Sequence, residues 1–345
     1  MKLSNRDLEI LNIVIRSYIL NGEPVGSKTL RDDHGLNLSP ATIRSSMNRL
    51  CEAGLLCQPH TSAGRIPTSL GYQYFIHKLI PECKLDENAK RAIDSLFPGA
   101  QEDPEELLDS ACSALADITG CVSMLTPPQG SELKVYRVRL VPIDKYTAVL
   151  MFVTTAGIIK SRFCRFDRQI NADFLSKIDT CLAKTLVGRP LDSVNAASMQ
   201  NMLIGLGEDA LYAMPAVYTA SEMVEELNQA RVKLKGQANL FSHREYGSDK
   251  LKPLLDYLHN EPSVCNMLSQ AGGEITVILG SETGEKALKS SGLIVTKYKL
   301  GGQNVGAIGI LGPDRMNYET IIPSVLYFKE SLGRYLTDRF KRDMQ

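Results

Sequence analysis

The sequence has no long apolar run. The longest nearly unbroken one, Ala148 to Val153, falls far short of the roughly 20 residues a membrane span needs. The opening Met-Lys-Leu-Ser-Asn-Arg-Asp lacks the apolar core of a signal peptide. A cytoplasmic protein with no membrane partner is expected. Net charge is absent too, with 39 Lys+Arg against 39 Asp+Glu, which argues against a general polyanion binder. None of the eight cysteines pairs with another across two residues, so no zinc knuckle or redox motif is present. Most sit in apolar surroundings, as expected of buried, reduced thiols. The five histidines show no metal-ligand spacing. No nucleophile, base and acid constellation is apparent, so no enzyme, metal or cofactor is expected.

What is present fits a globular chain of two or three domains: 345 residues, 43% hydrophobic and 23% charged. The charge is unevenly placed. Residues 1–80 hold nine basic and six acidic residues, a net of +3, and the remainder balances it. From Asn37 to Ile80 the charges are Arg44, Arg49, Arg65 and Lys78 against Glu52 alone. Such a patch fits a nucleic-acid module or an ordinary solvated face.

Local signals organise this region. Residues 4–20 read as an amphipathic helix, with Ser4 as cap and Asp7 in the cap-box position. A short helix from Ser27 stops at Gly35. Ser39-Pro40 then starts a helix running to Ala53, stopped by Gly54. Leu55–Gln58 and Ile66–Thr68 can pair as short strands around a polar loop, and a further helix runs from Ser69 to about Ile80. Helices followed by a two-stranded loop describe a winged helix-turn-helix over residues 1–80.

Residues 81–103 read as a linker containing one helix. A helix from Pro104, strands at Cys121–Thr126, Lys134–Val141, Thr147–Val153 and Gly157–Phe163, and a helix over Ala172–Leu186 make an α+β unit at 104–192. Residues 193–270 are mostly helical, with Pro215, Pro253 and Pro262 as breaks. Strands resume at Glu274–Leu279, Leu293–Lys299 and Gly306–Leu311, and a final helix closes 271–340. The expected fold is α+β and multidomain, with an α+β domain interrupted by a helical insertion. The stretch Gly280–Lys286 lacks the spacing and the Ser or Thr of a phosphate loop. Gly301–Gly306 reads as a connection between strands.

The candidate site is the Ser39–Ala53 helix and its wing. Ile43, Met47 and Leu50 share the core side, while Ala41, Ser45 and Asn48 share the opposite one, flanked by Thr42, Arg44 and Arg49. Asn48, Ser45 and Arg44 are candidates for base edges, and Arg49 and Arg65 for phosphates. Ser39 and Thr42 stand at the helix start. His60, Thr61 and Ser62 belong to the wing, where small residues let backbone approach phosphates.

The strings Gly22-Glu23-Pro24-Val25-Gly26-Ser27-Lys28-Thr29-Leu30, Leu38-Ser39-Pro40-Ala41-Thr42-Ile43-Arg44 and Gln58-Pro59-His60-Thr61-Ser62-Ala63-Gly64-Arg65-Ile66-Pro67-Thr68 closely resemble the bacterial heat-inducible transcription repressor family HrcA. So do Tyr298–Gly302, Val305–Gly309 and Gly312–Met316. After Ile43-Arg44 the family pattern has Asn-Asp, where this chain has Ser45-Ser46. After Ile278 it carries acidic residues, where Leu279-Gly280-Ser281 stands. The resemblance implies a winged-helix domain, a GAF-like domain and a dimerising domain inserted into the latter. It also implies repression of chaperone operons through an inverted-repeat operator, with the GroEL-type chaperonin maintaining folding competence. A dimer through residues 193–270 is expected, with Met199, Met202, Leu203 and Leu206 facing the partner copy. A second reading is a regulator that responds to a small effector in the GAF-like domain.

Overall fold

The structure, a computed structural model, describes residues 3–34, 38–60, 63–79, 84–97, 104–128, 133–229, 231–300 and 302–343. The N-terminal unit contains α1 (Asn5–Asn21), α2 (Ser27–His34), α3 (Pro40–Glu52), β1 (Leu56–Cys57), β2 (Ile66–Pro67) and α4 (Ser69–Leu79). Ser4 and Asp7 close a reciprocal capping box at the start of α1, and Gly22, at φ +68°, ends it. Ser39 caps α3 with Pro40 in its first turn. Ile10, Leu11, Val14 and Ile15 of α1 are buried with Ile43, Met47 and Leu50 of α3 and Phe75 of α4. The apolar spacing of α3 thus turns its other side outward.

The next helix, α5 (Glu87–Asp94), lies in the stretch expected to be a linker. It packs instead on α12 (Tyr318–Asp343). The Tyr327 hydroxyl donates to Asp94 at 2.8 Å, and the Phe97 and Phe328 rings lie 5.6 Å apart. Ile93 is fully buried there. Burial of these aromatic and apolar groups offsets the polarity that suggested a free segment.

The body is built on β3 (Val122–Leu125), β7 (Lys233–Lys235), β8 (Thr276–Leu279), β9 (Ser291–Leu300) and β10 (Gln303–Pro313). These form one antiparallel sheet in the order β7-β3-β10-β9-β8. Period-two alternation sorts its faces. Val122, Met124, Leu293 and Val295 pack with Leu254 and Leu258 of α10 (Ser248–His259) and Val264 and Leu268 of α11 (Glu261–Ser269). Leu125, Ile294, Tyr298, Ile308 and Ile310 belong to the cluster holding α6 (Pro104–Thr119) and α12.

A second sheet stands apart. β4 (Val135–Pro142), β5 (Thr147–Thr154) and β6 (Ile159–Arg165) pair in that order into a separate three-stranded sheet. With α7 (Ala172–Leu186), α8 (Ala196–Leu206) and α9 (Ala210–Asn228) they form a unit interposed between β3 and β7. The topology therefore divides the chain differently from the expected boundaries at 193 and 270. The interposed unit covers 133–229, and α10 and α11 belong to the body. Alternation reveals strands but not their partners, and the partners here are distant: Leu125 pairs with Ile308. Pro215 and Pro253, expected as breaks, lie inside α9 and α10. Burial of Ala213, Ala216 and Val217 holds α9 across the missing N–H.

Gly280–Glu282 and Lys286–Leu288 form short 3₁₀ turns rather than a helix. A side chain on Gly280 would run into the Leu288 carbonyl, so this is a tight structural turn. Gly302, at φ +94°, turns β9 back into β10.

The N-terminal unit is docked on the body. Arg315 pairs with Glu245 and donates to the Ile19 carbonyl at 2.9 Å, at the end of α1. Arg16 pairs with Glu319 at 2.6 Å. Gln73 of α4 donates to the Val277 carbonyl at 3.3 Å and to Glu282 at 3.2 Å. Arg315→Ala should accelerate amide hydrogen exchange in the last turn of α1 about ten- to a hundredfold, the loss expected for a charge-assisted hydrogen bond of about 1.5–3 kcal/mol. Exchange within β9 and β10 should not change; equal acceleration there would refute a local seam.

Candidate nucleic-acid interface

The outward side of α3 is formed by Ala41, Arg44, Ser45 and Asn48, all exposed, with Glu52 at the helix end. Ser46, between them in sequence, is buried. The predicted outward face is thus observed, with Arg44 on it rather than beside it. Ser39, exposed, accepts from the Thr42 N–H at 3.1 Å, and its hydroxyl lies 2.9 Å from that of Thr42. These two residues start the helix and are satisfied by each other.

The antiparallel ribbon β1–β2 follows, in the register Leu56↔Pro67 and Cys57↔Ile66. Its base is clamped to the connection between α1 and α2. Val25 and Arg65 exchange backbone hydrogen bonds of 2.9 and 2.8 Å. A side chain on Gly64 would collide with the Val25 backbone, so this approach requires glycine. His60 is exposed on the connecting loop, and Gln58 donates to the Ala63 carbonyl at 3.0 Å. Thr61 and Ser62 lie outside the described residues.

The two arginines assigned to phosphates are engaged with the protein. Arg49 pairs with Asp7 of α1 at 2.6 Å. It also donates to Ser45 at 3.0 Å and to Ser46 at 2.8 Å. Arg65 donates to Asn48 at 3.0 Å. Arg44 makes no such contact among the described residues. The Asp7 side chain is only 3% exposed. Burial alone pushes its carboxyl up, but hydrogen bonds from Arg49, Ser4 and Ser46 outweigh it. They hold the group well below the usual carboxylate range.

Sequence reasoning missed Asp7 as a strut for α3, although it identified the cap. No spacing pattern links residue 7 to residue 49; only the α1–α3 packing does. Among the described residues, no group of three His, Cys, Asp or Glu could hold a metal ion. No helix there is long and apolar enough to cross a membrane. Of the described cysteines, Cys57 is exposed on β1, while Cys112, Cys121 and Cys164 are buried.

Residues 105–322 match the family model for the HrcA protein C terminal domain. The chain belongs to the HrcA family. It is 32% identical to the heat-inducible transcription repressor HrcA of Natranaerobius thermophilus, over 96% of both proteins. It is 31% identical to the HrcA of Brevibacillus brevis, over 99% of this chain and all of that one. A solved structure described as a hypothetical protein at 2.2 Å resolution superposes with a TM-score of 0.70. It is 25% identical and covers 98% of this chain and 100% of its own. HrcA relatives thus span the exposed α3 face and ribbon as well as the body, and the protein is a heat-inducible transcription repressor.

Asp7→Asn should destabilise the N-terminal unit by about 2 kcal/mol at pH 7. That is less than the 3–5 kcal/mol of a fully buried pair, because Arg49 remains about one-third exposed. A carboxyl held low contributes its full stability above the ordinary carboxylate range and loses it progressively as the pH falls from that range toward its own lowered value. Denaturant titrations should therefore show the gap between wild type and variant constant from pH 7 to about pH 5 and narrowing as the pH falls further. A gap that widens on acidification would contradict the ion pair.

Proposed function

We propose that the protein represses heat-shock chaperone operons by binding an inverted-repeat operator as a dimer. The observation that carries this reading is the polar outward face of α3 beside the clamped ribbon β1–β2. It is read as a winged helix-turn-helix with α3 in the major groove. Asn48, Ser45 and Arg44 are assigned to the bases, and Ser39, Thr42, His60, Thr61 and Ser62 to the DNA backbone. Arg49 and Arg65, first assigned to phosphates, are bound to Asp7 and Asn48 and are placed in support of α3. The body is read as the GAF-like domain. The protein acts in the cytoplasm, as a regulator and not as an enzyme.

An inverted repeat presents two equivalent half-sites, so two copies must associate. The expected contact residues do not serve. Met199, Met202 and Leu206 are buried within their own chain, and Leu203 packs beside them. Most exposed large apolar side chains of the described residues instead lie elsewhere in the 133–229 unit. They include Ile159 and Phe163 on β6 and Ile204, Leu211 and Tyr218 on the helices. Exposed apolar side chains gathered in one unit suit an interface, and this unit is assigned the dimer contact.

Two variants test this: Leu211→Asp with Tyr218→Asp, and Ile159→Asp with Phe163→Asp. At least one should sediment as a monomer and bind an inverted-repeat duplex at least tenfold more weakly. Two intact dimers would rule out the unit as the contact. On the DNA side, Arg44→Ala and Asn48→Ala should each cost about 1–3 kcal/mol on the operator. Wild-type affinity in both would remove α3 as the reader.

The fold also supports dependence on a GroEL-type chaperonin. The β3–β10 pairing closes only after the 133–229 unit and α10–α11 have been traversed, and such non-local contacts form slowly. Heat then diverts the chaperonin to other clients and leaves the repressor misfolded. Refolding from denaturant should gain severalfold in operator-binding yield with chaperonin and ATP. An unchanged yield would exclude this route.

A further inference from the structure

The two arginines that support α3 have a chemical consequence for what its face can read, and the inference rests on the reading of α3 as the DNA-contacting helix. Arg49 donates from Nη1 to Ser45 Oγ at 3.0 Å. Arg65 donates from Nη2 to Asn48 Oδ1 at 3.0 Å. In both, a guanidinium sits on the acceptor oxygen of an outward side chain. The serine hydroxyl hydrogen is left to point away from Arg49. The Asn48 amide is turned with its oxygen toward Arg65 and its amino group toward solvent. Arg44, exposed on the same side of the helix, carries donors only, and Ala41 is a methyl group. From residue 41 to residue 48 the exposed side chains therefore present donors and apolar surface.

Both guanidiniums are engaged within the protein. Arg49 is tied to buried Asp7. The Arg65 backbone is laddered to Val25, and its Nε is buried without a partner, which places the guanidinium against the protein rather than out toward a phosphate. We propose that Arg49 and Arg65 are positioning residues that polarise α3 into a hydrogen-bond donor face, selective for guanine where Ser45 and Asn48 meet the major groove. Guanine offers two acceptors there, O6 and N7. Adenine offers N7 beside an amino donor, and cytosine offers an amino donor alone. An asparagine free to rotate can accept from adenine N6 while donating to N7. Asn48 cannot do so without giving up Arg65, and an approaching amino group would meet a cation.

The test uses the full-length protein and the duplex it enriches from a randomised library. Each guanine is replaced in turn by 7-deazaguanine, which removes N7, and each adenine by nebularine, which removes the N6 amino group. At the positions protected by α3, 7-deazaguanine should weaken binding about tenfold, and nebularine should change it less than twofold. Arg65→Met keeps an unbranched stem as far as the Nε position and removes the donors. It should lower the guanine-over-adenine preference at one position per half-site about tenfold, with the salt dependence of binding as in wild type. A tenfold loss with nebularine would show that amino groups are read and would overturn the proposal. So would an Arg65→Met variant that keeps its base preference while the salt slope falls by about one per half-site, since Arg65 would then be holding a phosphate. Failure of the underlying reading looks different: Arg44→Ala, Ser45→Ala and Asn48→Ala would all enrich the same duplex with unchanged affinity.

Discussion

The outward face of α3 depends on one buried carboxylate. Asp7 closes the capping box of α1 and grips Arg49 of α3, so a single side chain starts one helix and fixes the rotation of another. Arg49 passes that constraint on to Ser45 and Ser46. Arg65 does the same for Asn48 from the ribbon side, because its own backbone is pinned to Val25. Without these supports α3 would still be an amphipathic helix packed through Ile43, Met47 and Leu50. What they add is a fixed orientation for the polar groups at its surface.

Much of this was legible locally. The Ser4 cap, the Ser39-Pro40 start and the Gly54 stop each rest on interactions within a few residues, and α1 and α3 appear where these signals place them. The helix over Ala172–Leu186 and the strands other than β7, which falls in a stretch expected to be mostly helical, were readable for the same reason. What could not be read was pairing at long range. The 104–192 stretch shows strands throughout, yet β3 joins β10 while β4, β5 and β6 form their own sheet. The side-chain alternation of a strand carries no address for its neighbour.

The candidate site divides the same way. The outward placement of Ser45 and Asn48 followed from helical spacing. The roles given to Arg49 and Arg65 followed only from their charge, and charge is equally compatible with a phosphate or with Asp7. Met199, Met202 and Leu206 failed similarly. Their spacing revealed an apolar face but not whether its cover was α7 and α9 or another copy, and here the chain covers it itself.

The seam between the N-terminal unit and the body gives the molecule the character of a calliper. Arg315 grips the end of α1, Arg16 holds Glu319, and Gln73 anchors α4, so α3 cannot swing freely from the body. In the proposed dimer, the gap between the two jaws is then set by protein geometry rather than by tether length. DNA converts that gap into helical phase, with about 10 base pairs to each turn. Lengthening the spacer by half a turn would present the second half-site on the far side of the duplex, beyond the reach of a rigid pair. In such a dimer the distance between half-sites would become part of the recognised sequence without any base contact between them.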